Sequence, residues 1–539
     1  MLGLMQDFPL LIHRLIDHAA RHHPARSIVS RSVEGPFHRT DYATLRARSL
    51  RLSQRLAQEG VQLGDRVATL AWNTWRHIEC WYGITGIGAI YHTLNPRLFP
   101  EQIAWILNHA ESRLMFVDLT FVPLLEKIAP SLLHARRFVV LTDAAHMPAT
   151  TLPNVVDYES WLAEADGDFR WSSFDEQTAA GLCYTSGTTG EPKGVLYSHR
   201  SNLLHAMACN APDMLGLAAV DRVMPVVPMF HANGWCLPFI APMAGASLVL
   251  PGPKLDGASL HELMEAEGVT FTAAVPTVWL SLLQHLESSG ARLSTLKRVV
   301  IGGSACPRAI TQAFEERGVH VMHAWGMTEM SPIGSVCSIK PETAGLDAAA
   351  TLDLQEKQGF PPFGVDMRIV GDDGMEKPWD GETFGNLQVT GPSVTRAYFK
   401  APQEALTPDG WFETGDVATI DANGYMHITD RTKDVIKSGG EWISSIELEN
   451  LAIGHPDVLE AAVVAARHPK WDERPLLIVV PKPGHEIDKQ SLLAHLAPRV
   501  AKWWMPDDVV VVDEIPHTAT GKILKTKLRE RFAGYFGVP

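Results

Sequence analysis

The sequence lacks the features of a disulfide-stapled, zinc-binding or membrane-spanning protein. Its 539 residues include only six cysteines, and none of them belongs to a Cys-x-x-Cys pair, which argues against a zinc site or a disulfide framework. No stretch reaches the roughly 18 uncharged apolar residues that a membrane span requires. The N-terminus has no positive region followed by an apolar core, so no signal peptide is expected. We therefore expect reduced, buried thiols in a cytoplasmic protein.

Positive charge is also in short supply. The formal net charge is −14, which disfavours a general binder of nucleic acid or of anionic membranes. A local basic groove can still hold a nucleotide. With 46% hydrophobic and 20% charged residues, the composition is that of a globular protein. The length predicts about two or three domains.

Short apolar runs alternate with segments of helical spacing along most of the chain. Runs typical of buried strands lie at residues 66–71, 89–92, 114–117, 138–141, 222–227, 247–250, 271–275 and 298–301. Helical spacing covers residues 10–23, 41–59, 74–87 and 100–109. This alternation predicts parallel sheets covered by helices.

The pattern changes from residue 363 onward. Residues 365–370, 385–390 and 425–429 alternate apolar and polar side chains, which predicts an antiparallel barrel-like or meander region. The predicted fold class is therefore α/β plus α+β. A large N-terminal domain, residues 1–429, would contain the helix-covered parallel sheets and the small β-barrel-like part. A small α+β domain, residues 430–539, would follow.

Residues 184–194 read Tyr-Thr-Ser-Gly-Thr-Thr-Gly-Glu-Pro-Lys-Gly between two apolar runs. Glycines let a loop wrap closely around an anion, while hydroxyls and a lysine supply hydrogen-bond donors. We predict a phosphate loop between two strands. It differs from the Walker type, because Lys193 is followed by Gly194 rather than by Ser or Thr. The four hydroxyls and the lysine favour this function over that of a plain exposed hairpin.

Two further turns follow predicted strands, at residues 301–305 and 323–329. In open α/β sheets, ligands collect at the carboxyl ends of the strands, where such turns emerge. We expect both turns to line a binding site.

Taken in order, these motifs resemble those of the adenylate-forming superfamily, which includes acyl- and aryl-CoA synthetases, firefly luciferase and peptide-synthetase adenylation domains. The resemblance covers nearly the whole chain. It rests on residues 184–194, 228–231, 302–305, 324–329, 411–416, 430–440 and 516–522. It implies a ligase in which a carboxylate attacks the α-phosphate of ATP, giving an acyl-adenylate and pyrophosphate, before the thiol of coenzyme A displaces AMP. ATP, Mg²⁺ and coenzyme A are the implied cofactors and co-substrates.

The resemblance also implies the nucleotide contacts. The glycine loop would hold the β- and γ-phosphates, Asp416 the ribose hydroxyls, and Thr185 and Glu329 the Mg²⁺ ion. Gly302, Gly303, Ser304 and Ala305 would form a thin wall between adenine and the acyl pocket. The implied ATP or AMP contacts are Thr185, Ser186, Gly187, Thr188, Thr189, Gly190, Lys193, Gly302, Gly303, Ser304, Ala324, Trp325, Gly326, Met327, Thr328, Asp416, Arg431 and Lys522.

Lys522 is the implied catalytic lysine, which would bridge the attacking carboxylate and the α-phosphate; Lys193 and His231 complete the catalytic set. The alternative for Lys522 is an exposed lysine in a basic tail. Asp430 matches the family hinge of a mobile C-terminal domain, and a plain linker is the alternative there. The residues implied to contact coenzyme A are Lys437, Ser438, Gly439, Gly440 and Trp442.

The acyl pocket is implied to contain His231, Trp235, Gly302, Gly326 and Pro332. Residues 230–235 carry no acidic group, so an amino acid would leave its ammonium unpaired. Acetate-specific relatives place a tryptophan where Gly326 stands, which predicts an acid longer than acetate. Trp235 would shorten the pocket against very long chains. Ordinary core packing is the alternative for Trp235 and for His231.

Within the superfamily, the chain is most similar to medium-chain acyl-CoA synthetases and to bacterial 3-methylmercaptopropionate-CoA ligases of dimethylsulfoniopropionate breakdown. One methylene is worth only about 1–3 kcal/mol of discrimination, so butyrate-to-octanoate acids stay open. A luciferase-like oxygenase and a non-catalytic acyl binder are the alternatives on the same fold. Relatives of this kind imply a homodimer.

Overall fold

A computed structural model describes residues 1, 3–185, 191–439, 441–517 and 523–537. The chain forms two compact units. The first consists of Met1–Asp366 with Thr390–Leu406, and the second of Met367–Val389 with Thr407–Pro539. Within the described residues, no helix is both long and apolar enough to cross a bilayer.

The first unit contains a sheet in which seven described strands are neighbours. In spatial order they are β7 (Val155–Asp157), β6 (Arg137–Val140), β5 (Leu114–Val117), β3 (Arg66–Leu70), β4 (Ile90–Thr93), β8 (Ala179–Thr185) and β9 (Lys193–Ser198). The strands pair in parallel, except that β8 and β9 are antiparallel. Every residue of β4 and β5 is buried, as expected for strands covered on both faces.

A second sheet of the first unit contains eight described strands. In spatial order they are β15 (Ile333–Val336), β14 (His320–Gly326), β13 (Arg298–Ile301), β12 (Phe271–Ala274), β10 (Arg222–Pro225), β11 (Ser247–Leu250), β1 (Ser27–Arg31) and β2 (Phe37–Asp41). Only its two edge pairs, β1–β2 and β14–β15, are antiparallel among the described strands.

Helices cover these sheets. They are α1 (His13–His22), α2 (Tyr42–Gln58), α3 (Trp75–Gly86), α4 (Pro100–Ala110), α5 (Val122–Ile128), α6 (Tyr158–Ala163), α7 (His199–Cys209), α8 (Leu237–Ala244), α9 (Gly257–Glu267), α10 (Pro276–Ser289), α11 (Arg308–Glu315) and α12 (Ala348–Glu356). Side chains cap several N-termini; Asp41, for example, accepts a 2.8 Å hydrogen bond from the backbone N–H of Thr44. The largest buried cluster combines residues of both sheets with α1, α2, α3 and α8, and in it Trp81 stacks on Tyr91.

The second unit begins with an antiparallel meander and continues with a mixed sheet. The meander consists of β16 (Asp366–Val370), β17 (Gly385–Thr390), β18 (Phe412–Ile420) and β19 (Met426–Arg431). The mixed sheet contains β20 (Ile436–Ser438), β21 (Glu441–Ile443), β22 (Val458–His468), β23 (Asp472–Pro481) and β24 (Asp508–Val511). Its helices are α13 (Ser445–Ile453), α14 (Lys489–Leu496) and α15 (Lys525–Phe532).

The predicted fold class is confirmed: a large part with parallel sheets is followed by a smaller α+β part, and the predicted meander is present. Eight of the described strands were not predicted: β1, β2, β7, β15, β18, β20, β21 and β24. The polar edge strand β2, with sequence Phe-His-Arg-Thr-Asp, has no alternation that would indicate a strand. The predicted boundary after residue 429 falls inside β19, which pairs with β18 through Arg431. The meander belongs to the same compact unit as the C-terminal sheet. The domain boundary at residue 430 stays a proposal about which part of the chain moves.

Candidate active site

The base of the glycine loop lies where β8 and β9 meet. Thr185 and Lys193 are cross-strand partners there. The exposed Lys193 places its Nζ 4.9 Å from the ring centroid of Tyr398, and the N–H of Phe399 donates a 2.7 Å hydrogen bond to the carbonyl of Gly194. The predicted strand–loop–strand arrangement is thus confirmed. Its central residues, Ser186, Gly187, Thr188, Thr189 and Gly190, lie outside the described residues.

Glu329 is held in a buried turn that follows β14. The Tyr398 hydroxyl donates a 2.8 Å hydrogen bond to Glu329 Oε1, and the N–H of Thr395 donates one of 2.7 Å to its backbone carbonyl. The preceding carbonyl, of Thr328, accepts a 2.7 Å hydrogen bond from the Tyr197 hydroxyl of β9. Glu329 is only 7% exposed. One segment, residues 395–399, therefore fixes both the carboxylate and the base of the glycine loop.

The negative charge of Glu329 contributes to the raised pKa values of two neighbouring side chains, Tyr398 and Cys183. Burial, followed by the Glu329 carboxylate and its hydrogen bond, raises the pKa of Tyr398, so this phenol keeps its proton and acts as a donor. Burial also raises the pKa of Cys183 on β8 to about 11; a hydrogen bond to the Ala232 backbone opposes that rise and the Glu329 carboxylate adds to it. Strand β8 thus lies between Glu329 and the turn that follows His231.

The donors at this position suit a hard cation that arrives with a nucleotide. Among the described residues, no group of three or more His, Cys, Asp or Glu side chains could hold a metal alone. Glu329 contributes one carboxylate beside β8, which ends at the hydroxyl-bearing Thr185. In nucleotide sites, Mg²⁺ typically takes one or two carboxylates and completes its shell with phosphates and water. The residues present fit that mode of binding, in which Glu329 and Thr185 would hold the ion.

A thin wall of glycine follows β13. A Cβ atom built on Gly302 would lie 2.6 Å from the Ala324 carbonyl and 3.0 Å from the Trp235 ring, and Gly303 has φ +83°. A side chain at Gly302 would therefore clash with backbone. Gly302, Gly303 and Trp235 therefore lie close together, with the indole ring of Trp235 against the two glycines. Ser304 is exposed beside it.

His231 and Trp235 lie on the turn after β10. The N–H of Gly234 donates a 3.1 Å hydrogen bond to the His231 carbonyl, and Trp235 has φ +51° while packing half-buried against the main core. Asn73 fixes this turn: it accepts a 2.7 Å hydrogen bond from the N–H of Met229 and donates to the Pro225 and Val227 carbonyls. Asn73 was not among the predicted site residues. Its side chain is buried and no motif marks it.

Gly326 has a backbone reason to be glycine. A Cβ atom there would lie 2.0 Å from the Pro332 carbonyl, which already accepts a 2.9 Å hydrogen bond from the N–H of Met327. The close approach of β14 and β15 therefore excludes any side chain without backbone movement. The predicted opening of the pocket floor by Gly326 stays a prediction. Ala324 and Thr328 are buried, whereas Trp325, Gly326 and Met327 are half-buried.

In the second unit, Asp416 and Arg431 form a pair across β18 and β19. The Arg431 Nε lies 2.9 Å from Asp416 Oδ1, and the two residues are register partners. The Asp416 side chain is 3% exposed and that of Arg431 is 46% exposed. Gly415 has φ +75°, and the Thr414 hydroxyl accepts a 3.1 Å hydrogen bond from the Asp416 N–H. Asp416 and Arg431, both predicted to contact the nucleotide, are thus brought together by strand pairing and an ion pair.

The predicted coenzyme A residues form a hairpin of β20 and β21. Lys437 and Trp442 are cross-strand partners, with the Lys437 Nζ 4.9 Å from a Trp442 ring centroid and 2.7 Å from Asp372 Oδ2. Ser438 is buried. Gly439 has φ +60° and donates a 2.9 Å hydrogen bond to the Trp471 carbonyl. Gly440 lies outside the described residues. Trp471, which packs on Gly439, was not predicted.

Asp430 is not in an exposed linker. It lies in β19 and is fully buried; its carboxylate accepts hydrogen bonds from the N–H groups of Arg431 (2.7 Å) and Ser445 (2.6 Å). Its hinge function stays a prediction. Lys522 lies outside the described residues, but both ends of its loop are described. His517 and Ile523 form an antiparallel bridge, and the N–H of Leu524 donates a 2.7 Å hydrogen bond to the Pro516 carbonyl.

Known proteins match this chain over nearly its whole length. The sequence family described as AMP-binding enzyme matches residues 16–399, and its C-terminal domain family matches residues 447–522. The 3-methylmercaptopropionyl-CoA ligase of Ruegeria lacuscaerulensis is 49% identical over 533 residues, covering 99% of each chain. The medium-chain-fatty-acid–CoA ligase of Ectopseudomonas oleovorans is 47% identical over 533 residues, covering 99% of this chain and 98% of the other.

The fold has counterparts among solved structures. The anthranilate CoA ligase AuaEII, crystallised with anthranoyl-AMP, superposes with a TM-score of 0.83 at 26% identity, covering 99% of this chain and 100% of that one.

Proposed function

The chain belongs to the AMP-binding enzyme family, and we propose that it activates a short- or medium-chain carboxylic acid, with 3-methylmercaptopropionate as the first candidate. It is an ATP-dependent acyl-CoA ligase that works through an acyl-adenylate. The carboxylate attacks the α-phosphate of ATP and pyrophosphate leaves. The thiol of coenzyme A then attacks the acyl carbon and AMP leaves.

One observation carries the first half-reaction. Glu329, Tyr398 and Lys193 are linked to each other at the base of the glycine loop, so an anionic metal ligand and a cation flank the position proposed for the phosphates. In-line phosphoryl chemistry relies on positioning and on charges that offset the growing negative charge of the leaving group. In this proposal Mg²⁺ is held by Glu329 and Thr185, and Lys193 and Lys522 stabilise the transferring phosphates.

The proposed acid rests on the wall formed by Trp235, Gly302 and Gly303. In this proposal the indole that packs against Gly302 and Gly303 limits the length of the apolar chain that the pocket accepts. The acidic side chain that would pair with an amino-acid ammonium does not occur in residues 230–235. The names of two relatives agree with this chain length, a 3-methylmercaptopropionyl-CoA ligase and a medium-chain-fatty-acid–CoA ligase. A third, from Thermus thermophilus and 47% identical over 537 residues, is named a long-chain-fatty-acid–CoA ligase, so the chain length has to be measured.

Pyrophosphate release from ATP tests the proposal with a panel of acids. We expect release with 3-methylmercaptopropionate and with butyrate to octanoate. We expect acetate and free amino acids to fall at least about tenfold lower in kcat/KM. CoA thioester formation, followed by mass spectrometry, should accompany release with the same acids. The absence of pyrophosphate release with every carboxylate would contradict the ligase proposal. A preference for palmitate would contradict the proposed chain length.

Replacing Trp235 by alanine should shift the preference toward longer acids. Removal of the indole opens space beside Gly302 and Gly303, so the ratio of kcat/KM for decanoate to that for butyrate should rise about tenfold. The measurement is pyrophosphate release over acids of increasing length. Trp379→Ala is the matched control, because Trp379 is 44% exposed in the second unit, and it should leave the ratio unchanged. An unchanged ratio in Trp235→Ala would show that the indole is ordinary core packing.

The remaining features of the proposal rest on the family resemblance of the motifs. We propose Mg²⁺ as the metal, coenzyme A at the hairpin of Lys437 and Trp442, a homodimer and a cytoplasmic location. Asp430 is proposed as the hinge of the C-terminal domain, residues 430–539, which would turn between the two half-reactions.

A further inference from the structure

A largely buried ammonium group lies at the first residue of α15. Lys525 Nζ is 2.7 Å from Glu449 Oε1 and 2.6 Å from Ser445 Oγ, both on α13, and the Lys525 side chain is only 11% exposed. Glu449 is equally enclosed and also accepts a 2.7 Å hydrogen bond from the Val463 N–H. A buried cation of this kind requires anionic partners, because its desolvation costs several kcal/mol. Lys525 therefore ties α15 firmly to α13.

The same cation faces the buried Asp430. Ser445 joins the two groups: its N–H donates to Asp430 Oδ2 at 2.6 Å, while its hydroxyl accepts from Lys525. The charge of Lys525 acts on Asp430, on Glu449 and on Asp434. Farther along α15, Arg529 pairs with Asp434 and donates a 3.1 Å hydrogen bond to the Lys433 carbonyl. Helix α15 thus holds the chain on both sides of Arg431.

Lys525 is also close in sequence to the base of the loop that carries Lys522. Ile523 bridges to His517, whose Nε2 lies 2.6 Å from Glu460 Oε1. Leu524 donates to the Pro516 carbonyl, and α15 begins at the next residue. Lys525, which follows the loop base directly in sequence, therefore contacts α13 and faces the segment that contains Asp430.

We propose that Lys525 is a positioning residue that ties the base of the loop that contains Lys522 to the segment that contains Asp430. The inference rests on the proposed function, in which Lys522 acts in adenylation. Without the ammonium, two buried carboxylates lose their counter-charge and the loop base loses its tie to α13. Misplacement of a reacting group by about 1 Å can cost about a hundredfold in rate, so a positioning residue can have a large effect without touching substrate.

The Lys525→Met variant tests this coupling. We expect pyrophosphate release to fall about tenfold to a hundredfold in kcat, with KM for ATP within about twofold of wild type, because Lys522 would act on the transition state rather than on ground-state binding. Lys525→Arg keeps the charge and should recover most of the rate. Lys527→Met is the matched control: Lys527 lies on the same helix but is exposed, and its loss should leave the rate unchanged.

A pH profile separates positioning from a purely structural effect. Burial raises the pKa of Asp430 and of Glu449, and Lys525 opposes both shifts. The charged groups facing Asp430 are Lys525 on α15, Glu449 on α13, and Arg431 and Asp434 on its own segment. In Lys525→Met both carboxyl pKa values rise further, so the acid limb of the adenylation profile should move to higher pH. The profile of Lys525→Arg should match wild type.

The outcomes are distinguishable. Lys525→Met with the rate and profile of Lys527→Met would overturn the inference while leaving the ligase proposal intact. If the wild-type enzyme releases no pyrophosphate with any acid, the proposed function is overturned instead. If thermal melting shows that Lys525→Met does not fold, the Glu449→Gln variant tests the inference instead. Glutamine has nearly the size and shape of glutamate but removes one counter-charge of Lys525. A loss of about threefold to tenfold in adenylation supports the inference, and a wild-type rate overturns it.

Discussion

Replacing Glu329 by glutamine is expected to slow acyl-adenylate formation by about a hundredfold to a thousandfold. Glutamine has nearly the same volume and can still accept the hydrogen bond from Tyr398, so the buried turn should keep its shape. What is lost is the negative charge that would hold Mg²⁺ against the phosphates. The measurement is pyrophosphate release at increasing Mg²⁺ concentration, with the variant needing far more Mg²⁺ to reach a lower maximum.

Tyr398→Phe is the matched control for this prediction. It removes only the hydroxyl that donates to Glu329 Oε1, and loss of one such hydrogen bond corresponds to about fivefold to tenfold in rate. Thermal melting of both variants monitors the fold. A Glu329→Gln enzyme with a wild-type rate and an unchanged Mg²⁺ requirement would contradict the proposed metal ligand.

Replacing Lys522 by alanine should abolish most of the first half-reaction and spare the second. Loss of one charge-stabilising group in the transition state corresponds to about a hundredfold to a thousandfold in kcat. The second half-reaction, in which coenzyme A attacks a supplied acyl-adenylate, would not use this cation under the proposal and should proceed near the wild-type rate. Pyrophosphate release and thioester formation from synthetic acyl-adenylate measure the two steps separately.

Lys527→Ala distinguishes this function from that of the basic tail. Both lysines lie in the same cationic segment, and Lys527 is exposed on α15. If Lys522 contributed only general positive charge, the two variants would behave alike. Equal loss of both half-reactions in Lys522→Ala would also contradict its assignment to adenylation.

Much of the fold is predictable because local patterns carry it. The strands β5, β11 and β13 consist mostly of buried apolar residues, and their predicted bounds match the structure in residue number. The composition of residues 184–194 predicts a phosphate loop, and the apolar runs on either side of it predict the two strands β8 and β9, which the structure pairs antiparallel. Periods of 2 and 3.6 residues survive in sequence because each element must present one face to the core.

The missed residues act through contacts distant in sequence. Tyr398 reaches Glu329 across 69 residues, and Asn73 holds Met229 across 156. Lys525 meets Ser445 across 80. No spacing rule connects such pairs, since each depends on how separate elements pack. The end of β19 was not predictable for a related reason: the strand continues past Asp430, and the extent of a strand ladder depends on its partner.

The six cysteines have a chemical consequence for an enzyme of this kind. All six are buried and outside disulfides, and burial raises the pKa of Cys80, Cys183, Cys209, Cys236 and Cys306. An acyl-adenylate is a strong acylating agent, and coenzyme A is a thiol that exchanges with disulfides. A protein that handles both without presenting a thiolate of its own avoids acylating itself and avoids capture as a mixed disulfide. The scarcity of accessible sulfur keeps the activated acyl group for the incoming substrate thiol.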